Sequence, residues 1–71
     1  MDIRARLGRN VRHFRRELGL SQEALAGDAG IHRTYVSDVE RGARNPTITV
    51  VEKLARALKV TAGELLDGPA S

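Results

Sequence analysis

The chain has no cysteine. A disulfide framework, a thiolate zinc site and a cysteine nucleophile are all excluded by that one absence. Long apolar runs are also missing, none exceeding three residues, far short of what a bilayer span requires. The opening residues, MDIRAR, lack the apolar stretch of a secretory signal. A soluble chain of the reducing cytoplasm, free of membrane contact, is therefore expected. Repeats and low-complexity stretches are absent too, and 71 residues allow one small domain, too few for two separately stable cores. The expected domain is 1–67, with 68–71 as a short tail that frays.

What is present is arginine. Ten of the twelve basic residues are Arg, and the net charge is +3. The charge is segregated: residues 1–16 carry six Arg against one Asp, residues 17–40 one Arg against five acids, and residues 41–59 five bases against one acid. Two basic segments thus flank an acidic middle. A solvated surface of alternating sign accounts for this as well as a phosphate-facing surface does, although Arg forks suit phosphate oxygens. Charge alone does not choose between them.

Caps, breakers and a period near 3.6 divide the chain into five short helices, and nothing alternates as a strand would. The first runs from about Asp2, its N-cap, to Leu18, before Gly19; Ile3, Leu7, Val11, Phe14 and Leu18 share one face. Arg9, Arg12 and Arg16 fall opposite, most simply as a solvated face. Arg15 projects beside the apolar stripe, where an unpaired guanidinium is costly, so a carboxylate partner is expected. The second helix, capped by Ser21, covers Gln22 to about Asp28 with Leu25 and Ala26 inward. The third runs from His32 or Arg33 to Arg41 with Val36 and Val39 inward and Tyr35 and Glu40 at the edges. Thr47 or Thr49 caps a fourth, ending near Leu58, with Ile48, Val51, Leu54, Ala55 and Leu58 inward. Thr61 and Glu64 form a capping box for a short fifth helix stopped by Gly68. The fold class is all-α.

On the third helix, Arg33, Thr34, Ser37, Asp38 and Arg41 share an outward arc of about 140°. That face is polar, short-chained at Thr34 and Ser37, and free of long aliphatic residues. The stretch Gln22 to Arg41, QEALAGDAGIHRTYVSDVER, adds a steric pattern. Ala26 lets two helices approach, Gly30 makes the turn, and Leu25, Ile31, Val36 and Val39 seal the angle between them. Together these six positions describe a helix-turn-helix, whose second helix enters a DNA major groove.

The segments GLSQEALA (19–26) and GIHRTYVSDVERGARNPT (30–47) resemble the phage-repressor and Cro-type helix-turn-helix family, also called the XRE family. HRTYVSDVERGARN is particularly similar to small stand-alone regulators, including the controller proteins of restriction–modification systems. The resemblance spans Ile3 to Leu66. It implies a compact five-helix, lambda-repressor-like domain with the helix-turn-helix formed by helices 2 and 3. It also implies a homodimer that binds a pseudo-palindromic operator in double-stranded DNA and regulates transcription at the nucleoid. Separately, no cofactor, metal or small-molecule ligand is expected, since so small a helical domain has little room for a pocket.

Carried over by position, the resemblance places Arg33, Thr34, Ser37 and Asp38 at base edges, with Arg33 bidentate to guanine. Gln22, His32, Tyr35, Arg41, Arg44 and Asn45 fall on phosphates, which position the protein without reading sequence. Arg15 and Glu40 form the family's internal ion pair. The chain departs from the pattern in three places. His32 replaces the usual Ser or Thr cap, Gly27 weakens the second helix, and Asp38 is acidic on a face that must meet a polyanion. Asp38 either accepts from cytosine N4 or orients Arg33, Arg41 or Thr34; orientation is preferred. Among the remaining apolar residues, Val50, Ala62, Leu65 and Leu66 are candidates for a dimer patch, with one of the two leucines completing the core.

Two other function classes fit the sequence less well. An enzyme is disfavoured because His32, Ser37 and Asp38 lie along one exposed helix surface, without a cleft, a glycine-rich phosphate loop or metal-ligand spacing. An antitoxin that sequesters a toxin and autoregulates its operon is the alternative reading, limited by how little chain follows Leu66.

Overall fold

Asp2, Ser21, Thr47 and Thr61 each stand in extended backbone and turn a side-chain oxygen onto an N–H of the turn that follows, at Arg4, Ala24, Val50 and Glu64 respectively. Each satisfies one of the donors that a helix start leaves without an intrahelical partner. In the computed structural model, which describes residues 2–69, these caps open four of five helices. The helices are α1 (Ile3–Glu17), α2 (Gln22–Ala29), α3 (Arg33–Glu40), α4 (Ile48–Ala57) and α5 (Ala62–Asp67). The described residues contain no strand. Thr47 rather than Thr49 caps α4, and the Thr61–Glu64 capping box is reciprocal. His32 starts α3 without a side-chain cap bond. Between α2 and α3 the turn is made by Gly30 in the left-handed region, φ 71°, which a side chain would strain.

Helix α1 packs against α3 and α5, α2 against α3 and α4, and α4 against α5. The shared core is built from Leu7, Val11, Leu25, Val36, Val39, Leu54, Leu58 and Leu65, with Ala26, Ala29 and Ala55 where helices come close. Burying each leucine contributes about 1.5–3 kcal/mol. Three residues expected inward are not. Ile3, Leu18 and Ile48 are exposed, Ile48 by 88%. Ile3 and Ile48 are the first residues of their helices and Leu18 caps the end of α1. A helical stripe continues to its termini in sequence, but the neighbouring helices do not extend far enough to cover these ends.

Two contacts fix how α1 sits. A Cβ at Gly8 would fall 2.2 Å from the Val39 carbonyl oxygen and 2.7 Å from that of Glu40. Gly8 is what allows the backbone of α1 to touch the last turn of α3. Asn10 is a buried polar side chain in the core, and its amide donates to the carbonyls of Leu65 (2.8 Å) and Leu66 (3.2 Å). It ties α1 to the last turn of α5, whose carbonyls lack intrahelical partners. Gly68 lies against the same Asn10 side chain, and its N–H donates to the Glu64 carbonyl, so the expected tail is anchored at its first residue. Met1, Ala70 and Ser71 lie outside the described residues.

Candidate nucleic-acid interface

Helix α3 is held from within and open from without. Val36 and Val39 are completely or almost completely buried, fixing its rotation about its own axis. That rotation presents Arg33, Thr34, Ser37, Asp38 and Arg41 to the outside, where with Gln22 of α2 they line one shallow depression. Arg33, Thr34 and Arg41 are exposed, while Ser37 and Asp38 are half-buried. The outward arc expected from helical geometry is thus a contiguous polar surface.

At one edge of α3 lies a nearly buried network. Arg15 donates from Nε to Glu40 Oε2 at 2.6 Å and from Nη2 to Oε1 at 3.0 Å, and its Nη1 donates to the Leu20 carbonyl at 2.9 Å. The Gln22 amide donates to Glu40 Oε1 at 3.1 Å. The Glu40 side chain is only 4% exposed. The hydrogen bond to Glu40 raises the Arg15 pKa, with burial opposing it, so the guanidinium stays charged. Gln22, assigned from the sequence to phosphate, spends one amide N–H inside this network and keeps the other. Its bond joins α2 to the α1–α3 pair, a role sequence reasoning missed because nothing local marks it.

At the other edge of the outward face is a second cluster, nearer the surface. Asp38 accepts from Arg41 at Oδ1 and from Arg44 at Oδ2, the latter at 3.1 Å. The hydrogen bond from Arg44, and then that from Arg41, hold the Asp38 carboxyl below the usual carboxylate range. The Arg44 guanidinium also lies over the Tyr35 ring, 4.3 Å from its centroid, in cation–π geometry. Tyr35 is half-buried and rests against the core. Of the three residues that Asp38 was expected to orient, it engages Arg41 and not Arg33 or Thr34; Arg44 was not foreseen. His32 stands exposed at the start of α3.

Asn45 is placed differently from Arg44. It lines a separate apolar groove with Ile3, Leu7, Pro46, Ile48, Val51, Ala62 and Leu66. The candidates for a dimer patch divide around this groove. Ala62 and Leu66 line it, but Leu65 is fully buried in the core, and Val50 is half-buried against the core without lining the groove. Ile3 and Ile48, expected inward, line the groove instead because they overhang the helix ends.

Comparison with known proteins places these features in a family. Residues 11–65 match the family model described as helix-turn-helix. The control protein C.BamHI of Bacillus amyloliquefaciens is 45% identical over 67 residues, covering 93% of this chain and 83% of that protein. The crystal structure of the restriction–modification controller protein C.AhdI from Aeromonas hydrophila superposes with a TM-score of 0.85 at 44% identity, over 87% of this chain and 94% of that one. SinR, known as a regulator of Bacillus subtilis, has been solved in complex with DNA; that structure matches with a TM-score of 0.82 at 37% identity, over 86% of this chain and 98% of that one. These relatives are regulators rather than enzymes. The chain belongs to the helix-turn-helix, XRE-type family of DNA-binding transcriptional regulators.

Proposed function

We propose that the protein is a homodimeric regulator that binds a pseudo-palindromic operator with α3 of each protomer in the major groove. The observation that carries this reading is the exposed polar face of α3, locked in rotation by Val36 and Val39 beneath it. Arg33 reads guanine through O6 and N7, and Thr34 and Ser37 approach neighbouring base edges. Gln22, His32, Tyr35, Arg41 and Arg44 engage phosphates around the groove and set register. Asn45 belongs with them only at the loop's margin, because its position favours the apolar groove. The protein acts at the nucleoid, in the cytoplasm; among the described residues no helix is long and apolar enough to cross a membrane.

The apolar groove supports the dimer. It brings Ile3, Ile48, Ala62 and Leu66 to one surface, and a second copy related by a two-fold axis would cover the same residues reciprocally. Two copies of α3 then address half-sites about 34 Å apart on one face of the duplex.

Selection of bound duplexes from a random pool, followed by sequencing, tests the reading. The expected result is a two-fold symmetric motif with half-sites about one helical turn apart. Recovery of no motif, with binding that vanishes as salt rises, would reduce the interface to non-specific attraction and leave the protein-binding, antitoxin-like reading in front.

A further inference from the structure

Asp38 is the one acid on the outward face of α3, and its two oxygens are engaged by separate arginines from beyond the helix, Arg41 and Arg44. The layering is informative. The Asp38 side chain is 19% exposed, against 65% for Arg41 and 45% for Arg44, so the carboxylate lies beneath the guanidinium groups. Arg44 is restrained a second time by the Tyr35 ring. A guanidinium has five N–H donors, so one bond to Asp38 leaves the others able to reach outward. The two arginines take two of the carboxylate's roughly four acceptor sites.

Two consequences follow for a face that meets DNA. Arginines already held in place lose less rotamer freedom on contact. The carboxylate also repels any phosphate that comes near, which offsets part of the attraction its two partners exert. An unrestrained arginine can follow a phosphate of any duplex; one tethered to Asp38 contacts only phosphates that arrive where it is held. We propose that Asp38 is a specificity-determining positioning residue, which holds Arg41 and Arg44 in place and lowers affinity for DNA that is not the operator. The proposal rests on the reading of α3 as the DNA-facing helix.

Its test compares two duplexes of equal length and composition: one selected by the wild-type protein from a random pool, and a scrambled version. Asp38→Asn keeps the side chain's size and removes its charge. It should raise affinity for the scrambled duplex about five- to ten-fold at low salt and change affinity for the selected duplex much less. The salt dependence on the scrambled duplex should steepen by roughly one counterion per freed arginine. In a background of Arg41→Ala with Arg44→Ala, the same Asp38→Asn change should leave the ratio of the two affinities nearly unaltered, since nothing remains to be held. Melting curves confirm that each variant is folded. An unchanged scrambled-duplex affinity, or an equal gain in the background lacking both arginines, overturns the proposal. So does relaxation of one base position on reselection with scrambled-duplex affinity unmoved, which would make Asp38 a base reader. Failure of the wild-type protein to select any duplex overturns the DNA-facing reading itself, and is told apart because it precedes any use of the variants.

Discussion

The molecule contains two arginine–carboxylate clusters on α3, alike in chemistry and opposite in setting. Arg15, Gln22 and Glu40 join three helices at the inner edge, with Glu40 almost out of contact with water. Asp38, Arg41 and Arg44 sit on the outer face, with both guanidinium groups exposed. In the first, water cannot replace a lost partner, so the cluster governs folding. In the second it can, so the ion pairs add little to stability and their geometry is available for binding. The comparison teaches that burial, more than residue type, separates the structural arginine from those we assign to DNA.

The largest test breaks the inner cluster. Glu40→Ala strands a nearly buried guanidinium and should lower stability by about 3–5 kcal/mol, read from a chemical or thermal melt. Replacing both partners together, Arg15→Met with Glu40→Leu, should recover most of that loss. If the single variant melts like the wild type, the two clusters do not differ in kind.

Gly8→Ala comes next, expected at about 3 kcal/mol, because the added carbon meets backbone carbonyls of α3 that have no rotamer to yield. Gly27 is the counterpart: nothing lies within 4 Å of its missing Cβ. Gly27→Ala should therefore raise stability by up to about 1 kcal/mol through helix propensity alone.

On the outer face the readout changes from melting to binding. Arg33→Ala should weaken operator binding by about 1–3 kcal/mol and relax one position of each half-site, with the melting temperature unmoved. A uniform loss across all sequences would make Arg33 a phosphate contact.

The smallest effect concerns acid. The Asp38 carboxyl is held below its ordinary value of 3.8, so what its pairing contributes to stability is present above that value and lost as pH falls through the depressed one. Asp2, lowered to about 2 by its hydrogen bonds from Arg4, behaves in the same direction. Asp38→Asn should accordingly flatten the acid limb of the stability profile slightly and leave the melt at neutral pH nearly unchanged.

Much of this was legible beforehand, for local reasons. The caps at Asp2, Ser21 and Thr61, the turn at Gly30 and the inward Val36 and Val39 all follow from residues within four positions of one another. Asn10 was legible but overlooked: it lies three residues after Leu7 and four before Phe14, which puts a polar side chain on the apolar face. Gly8 carried no comparable signal, since a mid-helix glycine looks the same whether it abuts another helix or faces water, as Gly27 shows. Nor could the sequence divide Leu65 from Leu66, because adjacent residues differ by about 100° and the positions of α1 and α4 decide which is covered.

By itself, then, the sequence determined five helices, their caps, the helix-turn-helix and its outward polar face, because periodicity and capping are interactions between near neighbours in the chain. The tertiary structure alone decided that Gln22 turns one N–H inward to Glu40, that Asp38 takes Arg44 as well as Arg41, and that Ile3 and Ile48 overhang into one apolar groove. Those outcomes depend on how far apart separate helices come to rest, a distance set by packing at places such as Gly8 and Asn10 and invisible to any local pattern.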